Sequence, residues 1–460
     1  MIKKEKGITL IALIITIIIL IILAAVSIMA AYNSGIIDYS INGTKKYQEE
    51  ANKEGSIISE TEEFMKSILA KLDDIPGNNE KPELPTKPGS EPYLPSDDFE
   101  PIPDTDFTTG IVIEDKSPEG NGNQFVWVEV PNDGTGPNYS SVVDENDTEH
   151  IEAALKAYTS DYSDEDYNDY YYDTCGISNE SEYDDLYEEM LKSIYTHGGF
   201  WIGKYETGIE ESFRTYAAGE VYWHENQIYP VTETPVIKKD AYPFNFVIVS
   251  QAQSLANSIN SGEYTSSLMF GIQWDLVMKY LELNATWPTT ENKKQYLMFT
   301  GTWDNYGPGS TSFGNYPDAE FDITSTGAKY NALDIEWELT TWKVLTVDTE
   351  NFVENGTKLA NNDDWDSSNG AVILTTGANE TRNSKMNIVD IAGNVGEWTL
   401  EQYNNGYSIA VCRGIGGRSN GNPISDGIYG AASSRSSQGY YGDARFDTSY
   451  CTIGFRVCLF

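Results

Sequence analysis

Asp390 and Glu397 stand seven positions apart within Met386–Thr399, MNIVDIAGNVGEWT. Both are hard oxygen donors, and Gly393 and Gly396 between them permit positive φ and close backbone approach. A chain curling at these glycines can offer carboxylates and backbone carbonyls to one ion, a calcium-like donor set rather than a zinc-like one. A tight turn with solvated acids satisfies the same pattern. Trp398 reads as a buried anchor just after the loop. The other chemistry-bearing residues are sparse. The cysteines are Cys175, Cys412, Cys451 and Cys458, with no C-x-x-C spacing, and the histidines are His150, His197 and His224, with no ligand motif. A disulfide among Cys412, Cys451 and Cys458 suits an exported domain, with its partners left open by the sequence. Gly417–Gly421, GRSNG, fits G-x-S-x-G but precedes GNPISDG rather than a helix, so it is not a nucleophile elbow. Asp364, Asp366 and Ser368 begin like an EF-hand, but Asn369 stands where glycine is required. There is no P-loop and no H-E-x-x-H.

The elements that carry these residues belong to a long acidic chain. It has 460 residues and a formal net charge of −41, with 30 Lys plus Arg against 71 Asp plus Glu. That balance excludes nucleic acid as a partner and repels anionic headgroups. An aromatic content of 12%, with 31 Tyr and 10 Trp, excludes disorder throughout.

Lys3, Lys4 and Lys6 precede Gly7, and residues 8–31 are almost wholly apolar. About 24 helical residues span about 36 Å, enough to cross a bilayer. The lysines predict a cytoplasmic N-terminus with the remainder exported. Residues 32–74 are polar and helix-compatible and read as a stalk, although Gly35, Gly43 and Gly55 interrupt it. Residues 75–110 are Pro-rich and acidic and read as a semi-rigid spacer. KEKGITLIALIITIIILIILAAV resembles a type IV prepilin leader and helix. That resemblance implies residues 1–7 as leader, cleavage between Gly7 and Ile8, and other pilin-like subunits as partners. Ala12 replaces the glutamate that pilins carry at the fifth mature position and use in assembly. A minor pilin-like subunit and a plain single-pass anchor are both compatible with that change.

The remaining domain is expected over 111–460. Phe125–Val130, FVWVEV, alternates as a strand. Residues 139–190, rich in Tyr and acids, read as an extended inserted loop. Val247–Asn260 and Leu268–Leu281 fill the places of two helices of the family that the motifs below resemble, and Ile272, Leu276 and Met278–Tyr280 give a partial helical stripe. Three ordered motifs resemble the sulfatase-modifying-factor family, that of the formylglycine-generating enzyme: the Asp390–Trp398 signature, Arg413-Gly414 with Gly417, and Gly454-Phe455-Arg456. Phe200–Gly208, FWIGKYETG, resembles that family's early strand. The resemblance implies an α+β, loop-rich fold related to the C-type lectins. It also implies calcium held through Asp390, Gly393, Val395 and Glu397.

The family's oxidase uses a close, redox-active cysteine pair with copper shortly before the terminal Gly-Phe-Arg. Residues 432–450 contain no cysteine, and Cys451 and Cys458 flank the motif out of register. The related iron enzymes need clustered His. The chain is therefore expected to be non-enzymatic, without copper or iron, a cell-surface or pilus-associated adhesin of lectin type. A formylglycine-generating-type oxidase is the alternative.

Residues 418–450 are rich in Tyr, Ser, Asn, Gly, Asp and Arg, a paratope-like composition. The face for an extracellular protein or glycan ligand is expected on Asn420, Asn422, Asp426, Tyr429, Ser434, Arg435, Tyr440, Tyr441, Asp443, Arg445, Phe446 and Tyr450. The same composition fits a receptor diversified by a retroelement that rewrites adenine-containing codons. Arg413 and Arg456 are expected to be buried, paired framework residues.

Overall fold

The computed structural model describes residues 82–120, 122–214, 230–259, 264–298, 311–316, 328–332, 343–344, 372–378, 383–404, 408–414, 431–437 and 453–460. Every described residue belongs to one compact unit, Pro82–Phe460. The leader site Gly7–Ile8, the expected membrane helix over 8–31 and the stalk over 32–74 lie outside the described residues.

A six-stranded sheet forms the first layer. Its strands are β1 (Phe99–Pro101), β2 (Val112–Asp115), β3 (Gln124–Glu129), β5 (Gly199–Gly203), β6 (Ser266–Leu268) and β11 (Val457–Leu459), in the order β1-β2-β3-β5-β11-β6. Every neighbouring pair is antiparallel. β3 is buried from Phe125 to Glu129, so both of its faces are covered. Trp127 and Trp201 meet edge to face, with ring centroids 5.0 Å apart.

The boundary expected at 111 is corrected. β1 lies inside the stretch read as a spacer, and Phe99 packs 5.9 Å from Phe125 and 5.4 Å from Tyr264. Upstream, Ser90 Oγ accepts from Trp127 Nε1 at 2.9 Å, and the Tyr93 carbonyl accepts from Trp201 Nε1 at 2.9 Å. The prolines keep this segment extended, and an extended segment can pair with a sheet edge.

The second layer centres on β7 (Gly396–Asn404), flanked by β8 (Ser408–Arg413), β9 (Arg435–Ser437) and β10 (Ile453–Phe455), in the order β9-β8-β7-β10. β7 and β10 are parallel; the other pairs are antiparallel. β4 (Tyr167–Asn168) pairs with the far half of β7, Asn168 opposite Gln402. Only Arg456 separates β10 from β11, so at that residue the chain passes from one sheet to the other.

Residues 139–190 are not the expected loop. They hold helix α1 (Thr148–Tyr158), strand β4 and most of helix α2 (Glu180–His197). Tyr183, Met190, Leu191 and Ile194 are the buried stripe of α2. Asn179 caps its start by accepting from the Glu182 amide at 3.1 Å, and Gly198 ends it in the left-handed region at φ 68. The two helices expected further on are α3 (Val249–Asn257) and α4 (Gly271–Asn284). Among the described residues no helix is long and apolar enough to cross a membrane.

Candidate functional site

The signature Asp390–Glu397 folds as a loop that then becomes β7. Asp390, Gly393 and Asn394 take φ values of 56, 77 and 65. The positive φ expected at Gly393 is present; Gly396 instead opens β7 as an extended residue. A Cβ at Gly393 would come 2.2 Å from the Asn315 carbonyl oxygen, so only glycine allows that approach. Asn394 belongs to the signature but carries no role in the sequence pattern; the fold gives it one. Its Oδ1 accepts from the Leu374 amide at 2.8 Å and from Asn315 Nδ2 at 3.0 Å, while its Nδ2 donates to the Leu374 carbonyl at 3.0 Å and to Glu206. Its signal was an Asn after Gly, a pair suited to left-handed backbone.

Asp390 and Glu397 are both fully buried rather than solvated, 3% and 1% exposed. Asp390 Oδ2 accepts from the Gly377 amide at 2.6 Å. Burial pushes its pKa up to about 6, against that bond and the pull of Arg456. Glu397 is gripped by Arg456. Nε lies 3.2 and 3.0 Å from its two oxygens, and Nη2 lies 2.7 Å from Oε1. The same guanidinium donates to the carbonyls of Gly203 at 2.8 Å and Val389 at 2.9 Å. Glu206, in the early-strand motif, is fully buried beside them; burial, then Asp390 and Glu397, hold its pKa well above the usual carboxylate range.

As arranged, these residues do not fit the calcium site that the resemblance implies through Asp390, Gly393, Val395 and Glu397. An internal guanidinium already supplies the positive charge at Glu397, and an ion there must displace it. Among the described residues no three His, Cys, Asp or Glu side chains are grouped to hold a metal.

A second ion cluster lies beneath the end of the β8–β9 pair. Arg413 and Arg435 are directly opposed across the two strands. Two buried acids answer them. Arg413 donates to Glu401 at 2.9 Å and to Asp275 at 2.6 Å. Arg435 donates from Nε to Glu401 at 2.8 Å and from Nη2 to both Asp275 oxygens at 3.0 and 2.9 Å. Its Nη1 reaches the Tyr162 carbonyl at 2.7 Å. Burial opposes ionisation of Glu401, but Arg413 and Arg435 outweigh it and hold its pKa below the usual range. Asp169 lies near this cluster and caps α4, accepting from the amides of Gly271 at 2.6 Å and Ile272 at 3.0 Å.

Arg413 and Arg456 therefore occupy the framework positions expected of them. Arg435, expected on the ligand face, lies instead in the ion cluster with its side chain 10% exposed. The reason is register: its partner Arg413 shares the same two acids. Ser434 is half-buried in the turn before β9. Asn420, Asn422, Asp426, Tyr429, Tyr440, Tyr441, Asp443, Arg445, Phe446 and Tyr450 lie outside the described residues, as does Cys451.

Cys175, Cys412 and Cys458 are unbridged and buried. Burial raises the pKa of each thiol, most of all at Cys412 and Cys458, so none is a ready thiolate at neutral pH. Cys458 Sγ donates to the Ser267 carbonyl at 3.4 Å. Comparison of the chain with protein-family models, curated proteins and solved structures finds no match.

Proposed function

We propose that this chain is a non-enzymatic surface binding protein. A prepilin-like N-terminal helix anchors it or assembles it with pilin-like subunits, and its exported domain presents a lectin-like face to an extracellular protein or glycan. The observation that carries the reading is the division of labour around β8, β9 and β10. The charged residues at their roots are engaged in buried ion pairs that hold the sheets. The chain between them, 415–430 and 438–452, has the Tyr, Ser, Asn and Gly content of adaptable binding loops. Among the described residues, β9 and β10 are the outer strands of the β9-β8-β7-β10 order, and β7 and β10 are parallel. The buried, raised thiols of Cys175, Cys412 and Cys458 favour binding over thiol oxidation.

The test uses the full chain in detergent or nanodiscs on arrays of glycans and extracellular proteins. A specific binder is expected, with at least tenfold weaker binding after combined Tyr440→Ser, Tyr441→Ser and Tyr450→Ser and an unchanged melting temperature. Turnover of a cysteine-containing peptide in the presence of copper would replace this reading with the oxidase.

A further inference from the structure

Lys385 carries its charge against an aromatic ring rather than an acid. Its Nζ lies 5.3 Å from the centre of the Trp287 ring, and among the described residues no carboxylate pairs with it. Lys156 and Lys192, by contrast, each meet a glutamate of their own helix, at 2.6 and 3.2 Å. The ring is a fixed wall. Trp287 is 7% exposed, stacks on Tyr296 with centroids 5.1 Å apart and meets Phe313 edge-on at 5.3 Å. Its Nε1 donates to the Leu281 carbonyl at 3.0 Å. A hairpin, Ser384–Lys385 paired with Ile388–Val389, holds the lysine against this wall. The two residues of its turn, Met386 and Asn387, have φ values of 53 and 60. Asn tolerates that region, whereas Met there costs energy. The turn is tied down by Asn387 Nδ2, which donates to the Gly110 carbonyl at 2.8 Å. The amine is thus half-buried, held in place and without an acidic partner among the described residues. Burial strips water from the ammonium form and lowers its pKa from the usual lysine value, and the indole face returns part of that cost.

We propose that Lys385 is a nucleophilic amine that condenses with an aldehyde, such as the open-chain form of a reducing sugar. Its neutral Nζ attacks the carbonyl carbon and forms the C–N bond. The nitrogen gives up two protons to the carbonyl oxygen, which leaves as water, and an imine remains; nothing is oxidised or reduced. The reaction needs neither the anchor nor the proposed binding face, so its test stands apart from the array experiment. The full chain in detergent at pH 7.5 is given limiting glycolaldehyde with cyanoborohydride, which traps each imine as a stable amine. Occupancy at each lysine is then read by peptide mass spectrometry. Lys385 is expected to be labelled at least about fivefold faster than Lys156 and Lys192. That advantage should narrow as the pH rises towards the range in which exposed lysines lose their protons, and it should vanish in urea. Lys385→Arg is expected to remove this adduct alone and to leave labelling of Lys156 and Lys192 unchanged. Labelling of Lys385 no faster than that of Lys192 overturns the proposal. An advantage that survives in urea also overturns it, since the fold would then not be its cause.

Discussion

Arg456 is where the two sheets are joined. Its guanidinium bonds Glu397 at the start of β7, the carbonyl of Gly203 at the end of β5 and the carbonyl of Val389 in the signature loop. Removing it leaves Glu397 buried without a counter-charge, so Arg456→Met is expected to cost ~3–5 kcal/mol in chemical denaturation. Because Arg456 already neutralises Glu397, added calcium is expected to leave the thermal midpoint within about 1 °C; a saturable rise of several degrees would mean that the ion displaces the guanidinium and binds the folded state. Asp169 gives a pH signature of unusual sign. Burial, then the charge of Glu401, raise its pKa from 3.8 to about 7. The folded protein therefore holds this proton more tightly than the unfolded chain, and the associated stability is complete below about pH 4 and lost as pH rises to about 7. The destabilisation caused by Asp169→Asn should shrink between pH 4 and pH 8 in thermal melts; a difference constant with pH would remove Asp169 as the titrating group.

At the scale of elements, the strap from residue 82 to β1 behaves as part of the domain. Its Ser90 and Phe99 are buried, 0% and 1% exposed, and its backbone takes the indole N–H of Trp201. A chain beginning at 111 is expected to remain unfolded by circular dichroism, whereas one beginning at 82 folds cooperatively. Phe99→Ala alone should cost ~3–5 kcal/mol. The inserted region docks by several independent means: β4 pairs with β7, Asp169 caps α4, and the Tyr183 hydroxyl donates to the Leu400 carbonyl at 2.9 Å. Two helices were hidden there because charge and tyrosine dominate its composition. The spacing of Tyr183, Met190, Leu191 and Ile194 nevertheless carried the helical stripe. By contrast, β3 was legible directly from the alternation of FVWVEV, whereas α3 and α4 were placed by the family resemblance, with only a partial apolar stripe in α4 to support them.

For the molecule as a whole, the net charge of −41 contrasts with a described interior in which buried arginines are matched to acids. The excess of negative charge over the whole sequence disfavours polyanions as partners. The proposed anchoring has its own check. Edman sequencing of the protein from its native membrane is expected to begin at Ile8; a start at Met1 would leave the helix as an uncleaved anchor.

The sequence by itself determined which residues matter to the frame. Arg413 and Arg456 could be singled out as paired framework residues from the motifs that hold them, and Gly393 for its backbone permissiveness, whereas Glu397 read as an ion ligand. The sequence did not determine what each charge faces. A carboxylate seven positions from another is equally suited to an ion, to water or to an arginine, and only the folded chain brings Arg456 from 59 positions away to Glu397. The same holds for Arg435, whose polar surroundings in sequence suggested an outer surface. Strand register instead sets it against Arg413, and Asp275 and Glu401, distant in sequence, draw both guanidinium groups inward. Pairing partners are long-range facts, fixed by packing rather than by local pattern.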